Sequence, residues 1–190
     1  MDLFKYIEDM SSFIEDRNWD GLEASNRTIA ESLAGKERID AIAMADLSDY
    51  HRVLCKGLAF ALNKATEVGA RAVYFEYDLD NNWQSHFFIC EDYISKANVQ
   101  GPGDDDWACE WIDEIAGEGC SLFGQFYESE FDANPMAAGV NLYLIARTVA
   151  AFGRCCDSYS DEKVAICIAC HDQDPIMRIH EPTDRAGVSL

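Results

Sequence analysis

Apolar residues recur at helical spacing through the first seventy positions. Leu3, Ile7, Met10 and Ile14 make one stripe, and after Asn18 the set Trp19, Leu22, Ile29 and Leu33 makes another that Gly35 stops. A short third helix fits residues 38–45. Ser48 then predicts the cap of a longer helix with a stripe of Tyr50, Val53, Leu54, Leu58, Ala61 and Leu62, ending near Gly69. The period changes at residue 72. Ala72-Val73-Tyr74-Phe75-Glu76-Tyr77-Asp78 alternates β-branched and aromatic residues with others, and Trp83-Gln84-Ser85-His86-Phe87-Phe88-Ile89-Cys90 follows after Leu79-Asp80-Asn81-Asn82. Two strands around an Asp-Asn-Asn turn predict a β-hairpin, because Asn and Asp tolerate the positive φ of tight turns.

From residue 93 to 134 the periodicity fades. Gly101-Pro102-Gly103 marks a loop, and Trp107, Trp111, Ile112 and Ile115 fit a short helix. Asn134-Pro135 is a helix start, with Asn as cap and Pro in the first turn, and Gly153 is the matching stop. The segment between them is apolar on all sides, but it carries Asn141 and Arg147 and falls short of the ~20 apolar residues of a membrane span, so it reads as a buried helix. A second hairpin closes the chain, residues 163–170 with 176–180, and residues 181–190 form a loose tail. The fold class expected is α+β in a single domain over residues 1–190. Its helical region (1–70) packs on a mainly antiparallel sheet of two hairpins, with one buried helix between them (71–180).

Composition adds a sign to this picture. Among 190 residues, 35 Asp and Glu stand against 15 Lys and Arg, a formal charge of -20. Such a surface repels nucleic acid and anionic membrane, whose binding rests on Lys and Arg. The excess is local: residues 1–72 carry a net -4, residues 73–146 a net -14, and residues 147–190 a net -2. Lys96 is the one basic side chain between Arg71 and Arg147. Within that segment acids alternate with aromatics, which nominates Glu76, Asp78, Asp80, Trp83, Asp104, Asp105, Asp106, Trp107, Glu110, Trp111, Asp113 and Glu114 as a partner-binding set. Carboxylates steer an oppositely charged partner, and Trp supplies contact area at little conformational cost.

Catalytic patterns fit less well. Asp78-Leu79-Asp80-Asn81-Asn82 begins like a calcium loop, but Trp83 stands where Gly must turn the chain and Ile89 where a bidentate Glu is needed. Asp104 to Asp106 with Glu110 offer oxygens to a hard cation, or simply favour the following helix end. Gly119-Cys120-Ser121-Leu122-Phe123-Gly124 misses the nucleophile elbow by one residue. Cys167-Ile168-Ala169-Cys170-His171 spells a haem-attachment site, yet it lies in an expected strand, where positions three apart face opposite ways. The eight cysteines, in a chain whose N-terminal residues lack the basic flank and apolar run of a secretory signal, are read as reduced thiols of a cytosolic protein. No catalytic residue, metal or cofactor is assigned.

At Glu76-Tyr77-Asp78-Leu79-Asp80-Asn81-Asn82-Trp83 and Asp104-Asp105-Asp106-Trp107 the chain resembles the small, acidic, cytosolic α+β immunity proteins of bacterial toxin systems. The resemblance implies a basic protein partner, a cognate toxin whose active site is covered, and it brings no catalytic residue with it. The expectation is therefore a non-enzymatic binding protein with no nucleic-acid or membrane partner. Two alternatives are a hydrolase-type enzyme with a divalent metal on carboxylates such as Asp78, Asp80 and Asp104, and a homodimer formed through exposed aromatics.

Overall fold

The computed structural model describes residues 3–98, 111–129, 133–160, 163–171 and 176–182. The first apolar stripe is divided between two short helices, α1 (Leu3–Glu8) and α2 (Ser11–Glu15), and Leu3, Ile7, Met10 and Ile14 are all buried across the break. Arg17, at φ 50, ends α2. The Asn18 side chain then accepts the Gly21 amide at 3.0 Å and starts α3 (Trp19–Ala34). Gly35, at φ 86, turns the chain into α4 (Lys36–Ala43). The next helix, α5 (Ser48–Val68), is begun by Asp46 rather than by Ser48: the Asp46 carboxylate accepts both the Ser48 amide and its hydroxyl. Gly69 closes α5 at φ 72, a left-handed conformation that Gly adopts at no steric cost.

β1 (Ala72–Asp78) and β2 (Gln84–Cys90) pair antiparallel, Ala72 opposite Cys90 and Asp78 opposite Gln84. The turn between them places Asn82 and Trp83 at φ 52 and 59. Trp111–Ala116, expected as helix, is strand β3, antiparallel to β2 with a bulge at Ile89/Cys90. Its stripe of Trp111, Ile112 and Ile115 is too short for a helix to bury, and pairing with β2 satisfies its backbone while Ile115 reaches the core. A short helix, α6 (Ser121–Gly124), seats Phe123 in the core. The long helix α7 (Pro135–Cys156) starts where Asn134 accepts the Ala137 amide. β4 (Ala165–Cys170) and β5 (Met177–His180) then pair antiparallel.

The sheet order is β3-β2-β1-β4-β5, and its central joint is parallel: Ala72 of β1 lies opposite Ala165 of β4 and Tyr77 opposite Cys170. The fold is thus α+β with a mixed sheet, which corrects the expectation of one built from hairpins alone. A parallel joint requires a long crossover, and the chain from β1 to β4, α7 included, provides it.

α7 runs past Gly153, the expected stop. Gly153 serves packing: a Cβ there would stand 2.5–2.7 Å from ring atoms of Trp19. Gly139 does the same near the start of α7, where a Cβ would meet the Leu33 Cβ at 2.8 Å. These two glycines let α3 and α7 approach closely. Trp19 is held in turn by Asp157, which accepts its indole N–H at 2.9 Å. On its other side α7 meets the sheet, where the rings of Phe152 and Phe75 stack at 4.6 Å. Residues 135–159 are long and apolar enough to cross a membrane by length and composition, and 94% of the apolar window is buried inside the protein. Arg147 is buried on that helix with its guanidinium donating to the carbonyls of Ile42 and Ala45 and to Glu23, so it ties α7 to the end of α4.

Helices cover one face of the sheet. Val73, Phe75, Tyr77, Phe87 and Ile89 point into that core, and the alternate positions Ala72, Phe88 and Cys90 form a smaller cluster on the other face with Tyr93, Ala165 and Cys167. Cys167 and Cys170 fall in different clusters, as strand geometry requires, and burial pushes both thiols from the ordinary 9.0 to about 12. The expectation of reduced cysteines fails in the helical layer: Cys55 of α5 and Cys155 of α7 form a disulfide. Cys90 is disulfide-bonded too, while Cys120, Cys156, Cys167 and Cys170 are free and buried.

Candidate interaction surface

The face of the sheet turned away from the helices carries Glu76 and Asp78 of β1 and Glu114 of β3, whereas Asp113 of β3 lies opposite Ile89 on the helix side. Its side chains are set by two-residue alternation and by the register. One cross-strand row runs from Ala116 through His86 and Glu76 to Ala169, and the next from Glu114 through Phe88 and Tyr74 to Cys167. In the first row, the Glu76 carboxylate lies 2.9 Å from Nδ1 of His171 and accepts the Tyr74 hydroxyl at 3.1 Å. His86 reaches across to Glu114, with Nδ1 2.5 Å from the carboxylate. In the second row Phe88 is the buried centre, with the ring of Trp111 4.3 Å away and that of Tyr74 stacked at 5.8 Å. Burial and then the Glu76 charge drive the Tyr74 hydroxyl well above its usual pKa, so it stays a donor and holds Glu76 in place.

Where β1 ends, Asp78 accepts the Asp80 amide at 3.0 Å, and Asp80 accepts the Tyr127 hydroxyl at 2.7 Å. Burial, helped by Asp80, also raises the Tyr127 pKa. Glu118 follows β3 at this end, its carbonyl accepting from Ser85. Among the described residues no Lys or Arg pairs with Glu76, Asp78, Asp80, Glu114 or Glu118. In the helical layer Glu37, Asp46 and Glu67 likewise have no Lys or Arg partner among the described residues, but others do. There Asp20, Glu23, Glu31, Asp40 and Asp49 are each matched by Arg or Lys. Cations of that layer also reach two central acids, Lys64 to Asp113 at 3.4 Å and Arg38 to Glu128 at 2.7 Å.

Among the described residues β3 forms one edge of the sheet and pairs only with β2. It is exposed along nearly its whole length, with Trp111 at 57% and Ile112 at 47%. On α5, Phe60 is 60% exposed. An edge strand offers unpaired N–H and C=O groups, and here they run beside apolar and acidic side chains.

The partner-binding set from the sequence is thus partly gathered. Glu76, Asp78, Asp80, Trp111 and Glu114 lie on the outer face or its rim, and Asp113 is tied to Lys64. Trp83 is a correction. It is wholly buried, its indole N–H donates to Thr148 Oγ1 at 2.8 Å, and Phe123 and Tyr127 pack edge-on against it. It is the last residue of the turn, at φ 59, and its ring is seated in the core ahead of β2. Asp104, Asp105, Asp106, Trp107 and Glu110 lie outside the described residues. The residues missed are Tyr74, His86, Phe88 and His171. The first three sit at the same strand parity as Glu76 and Asp78 or pair directly with them, so extending the alternation one residue either way would have found them.

Carboxylates do not assemble a metal centre among the described residues. Asp78 and Asp80 each commit one oxygen, to an amide and to a phenol. The group of three metal-type donors within 4.8 Å of one another is His51, Cys55 and Cys155, in the helical layer. Compared with known protein families, with curated proteins and with solved structures, the chain matches none.

Proposed function

We propose that this chain is a non-enzymatic binding protein that docks on a basic protein partner through the outer face and β3 edge of its sheet, and that the partner is a bacterial toxin it neutralises. The observation carrying this reading is the contrast in charge pairing. Asp20, Glu23, Glu31, Asp40 and Asp49 of the helical side are matched by Arg or Lys, whereas among the described residues none of Glu76, Asp78, Asp80, Glu114 and Glu118 is, and Glu114 shares β3 with the exposed Trp111 and Ile112. Carboxylates gathered without Lys or Arg, with only His86 and His171 beside two of them, raise the free energy of the free protein, and a cationic partner relieves it. An exposed Trp on a rigid strand is the kind of anchor that dominates binding energy.

The test uses the product of the gene adjacent to this one. A toxic protein with a basic C-terminal region should be neutralised on co-expression and form a 1:1 complex, with association slowing on the order of tenfold or more from low to high salt. Glu114→Gln with Asp80→Asn should slow association, and Trp111→Ala should speed dissociation. Association indifferent to salt and to all three substitutions would refute the docking face. A dimer of this chain alone in light scattering, lost in Trp111→Ala, would assign the same edge to self-association instead.

A further inference from the structure

His51 and Cys55 stand one turn apart on α5, so their side chains share a face. The Cys55 sulfur lies 3.6 Å from Nε2 and 3.9 Å from Nδ1 of His51. Cys155 enters from α7, 100 residues away in sequence, with a Cα–Cα distance of 5.0 Å to Cys55. Cys155 is buried, whereas His51 and Cys55 are half-buried. His51 also lines a cavity of about 380 Å³ together with Ser48, Arg147, Ala151 and Arg154.

A disulfide that only braced two helices would have no use for an imidazole against its sulfur. A metal would. Zinc at about 2.3 Å from sulfur and about 2.0 Å from nitrogen, in tetrahedral geometry, sets those two donors about 3.5 Å apart, close to the separation of Cys55 and His51. The same geometry requires two thiolates about 3.8 Å apart. Once the bond is opened, side-chain rotation across that Cα–Cα distance supplies the separation. Two thiolates and an imidazole are soft and borderline donors that select Zn²⁺ over Mg²⁺ or Ca²⁺.

We propose that His51, Cys55 and Cys155 form a zinc site that is filled when the two cysteines are reduced, and that the disulfide is its oxidised, metal-free state. A dithiol reductant supplies two electrons and two protons to the Cys55–Cys155 bond and leaves as its own disulfide. Both cysteines become thiols, and Zn²⁺ then displaces their two protons to solvent. Water from the cavity beside His51 completes the fourth position, which three protein ligands leave open.

The protein is reduced with a phosphine, freed of it without oxygen, and titrated with Co²⁺ and then with Zn²⁺ against a chromophoric chelator. One Co²⁺ per chain should bind, with the visible bands of tetrahedral cobalt and a thiolate charge-transfer band, and Zn²⁺ should displace it. The oxidised protein should bind none. Cys55→Ser and Cys155→Ser should each abolish the charge-transfer band, while Cys156→Ser keeps it. Because the cysteine variants also lose the disulfide and its bracing, His51→Ala is the second test. It should weaken Zn²⁺ by more than about a hundredfold, the upper end of what outer-shell changes alone produce, and leave the melting of the oxidised protein unchanged. Octahedral cobalt spectra, equal zinc affinity in His51→Ala, or binding that survives loss of both cysteines would overturn the site.

Discussion

Replacing Trp83 by Phe separates a core role from a docking role at one residue. Trp83 is fully enclosed, and its indole N–H is satisfied by Thr148, whose own hydroxyl donates to the Leu144 carbonyl at 2.9 Å. Phe leaves about 40 Å³ unfilled, worth about 1 kcal/mol at roughly 24 cal/mol per Å³ if the site does not collapse. Loss of the indole hydrogen bond adds about 1 kcal/mol. The sum, about 2 kcal/mol, corresponds to a fall of about 4–8 °C in Tm for a chain of this size. Thr148→Val keeps the shape but strands the indole N–H without an acceptor, a cost of about 1–3 kcal/mol. The two changes remove the same bond, so the double variant should be more stable than the sum of the singles predicts, by about 1 kcal/mol. Urea unfolding followed by circular dichroism measures all four proteins. Strict additivity, or a Trp83→Phe protein as stable as the parent, would refute the packing account of this residue.

Three further outcomes follow from the same packing. Gly153→Ala gains helix propensity of about 1 kcal/mol, but its methyl meets the Trp19 ring. Net destabilisation of about 1–3 kcal/mol is expected, and a raised Tm would contradict the close α3–α7 contact. Arg147→Ala removes the donors to Ile42 and Ala45 and leaves half-buried Glu23 short of a partner, so thermal melting should show a loss of about 3 kcal/mol or more, larger than that of Glu23→Gln. Stability should also fall above pH 9. Burial raises Cys167 and Cys170 from 9.0 to about 12, so the unfolded chain sheds their protons first. The stabilisation they bring is complete below pH 9 and lost as the pH climbs toward 12. The Cys167→Ala, Cys170→Ala double variant should flatten that decline in melts taken from pH 8 to 11, and an unchanged slope would contradict it.

Local signals carry far in this chain, and long-range ones do not. The stripes of α3 and α5 and the caps at Asn18 and Asn134 are chemistry within a few residues, and they are readable without a fold. Pairing of β1 with β4 is not, because alternation says which face a residue takes but not which strand lies beside it. Gly153 illustrates a second limit: absence of a side chain serves equally to stop a helix and to admit a neighbour's ring, and only Trp19 decides between them. Trp83 reads as a docking residue because acids surround it in sequence, although the turn before β2 seats it against Thr148 and Phe123 in the core. The Cys55–Cys155 bond lies beyond any spacing argument, since nothing local brings α5 to α7. The acid-rich middle segment is visible by counting, but the matching of Asp113 by Lys64 and of Glu128 by Arg38 requires the fold.

Amide hydrogen exchange of the complex with the basic partner tests the docking face most directly. Protection should appear in β3 and in residues 76–80, where the unmatched acids and the exposed Trp111 lie, and the amides of α3 and α4 should exchange as in the free protein. Protection confined to the helical side, with β3 exchanging unchanged, would contradict the account.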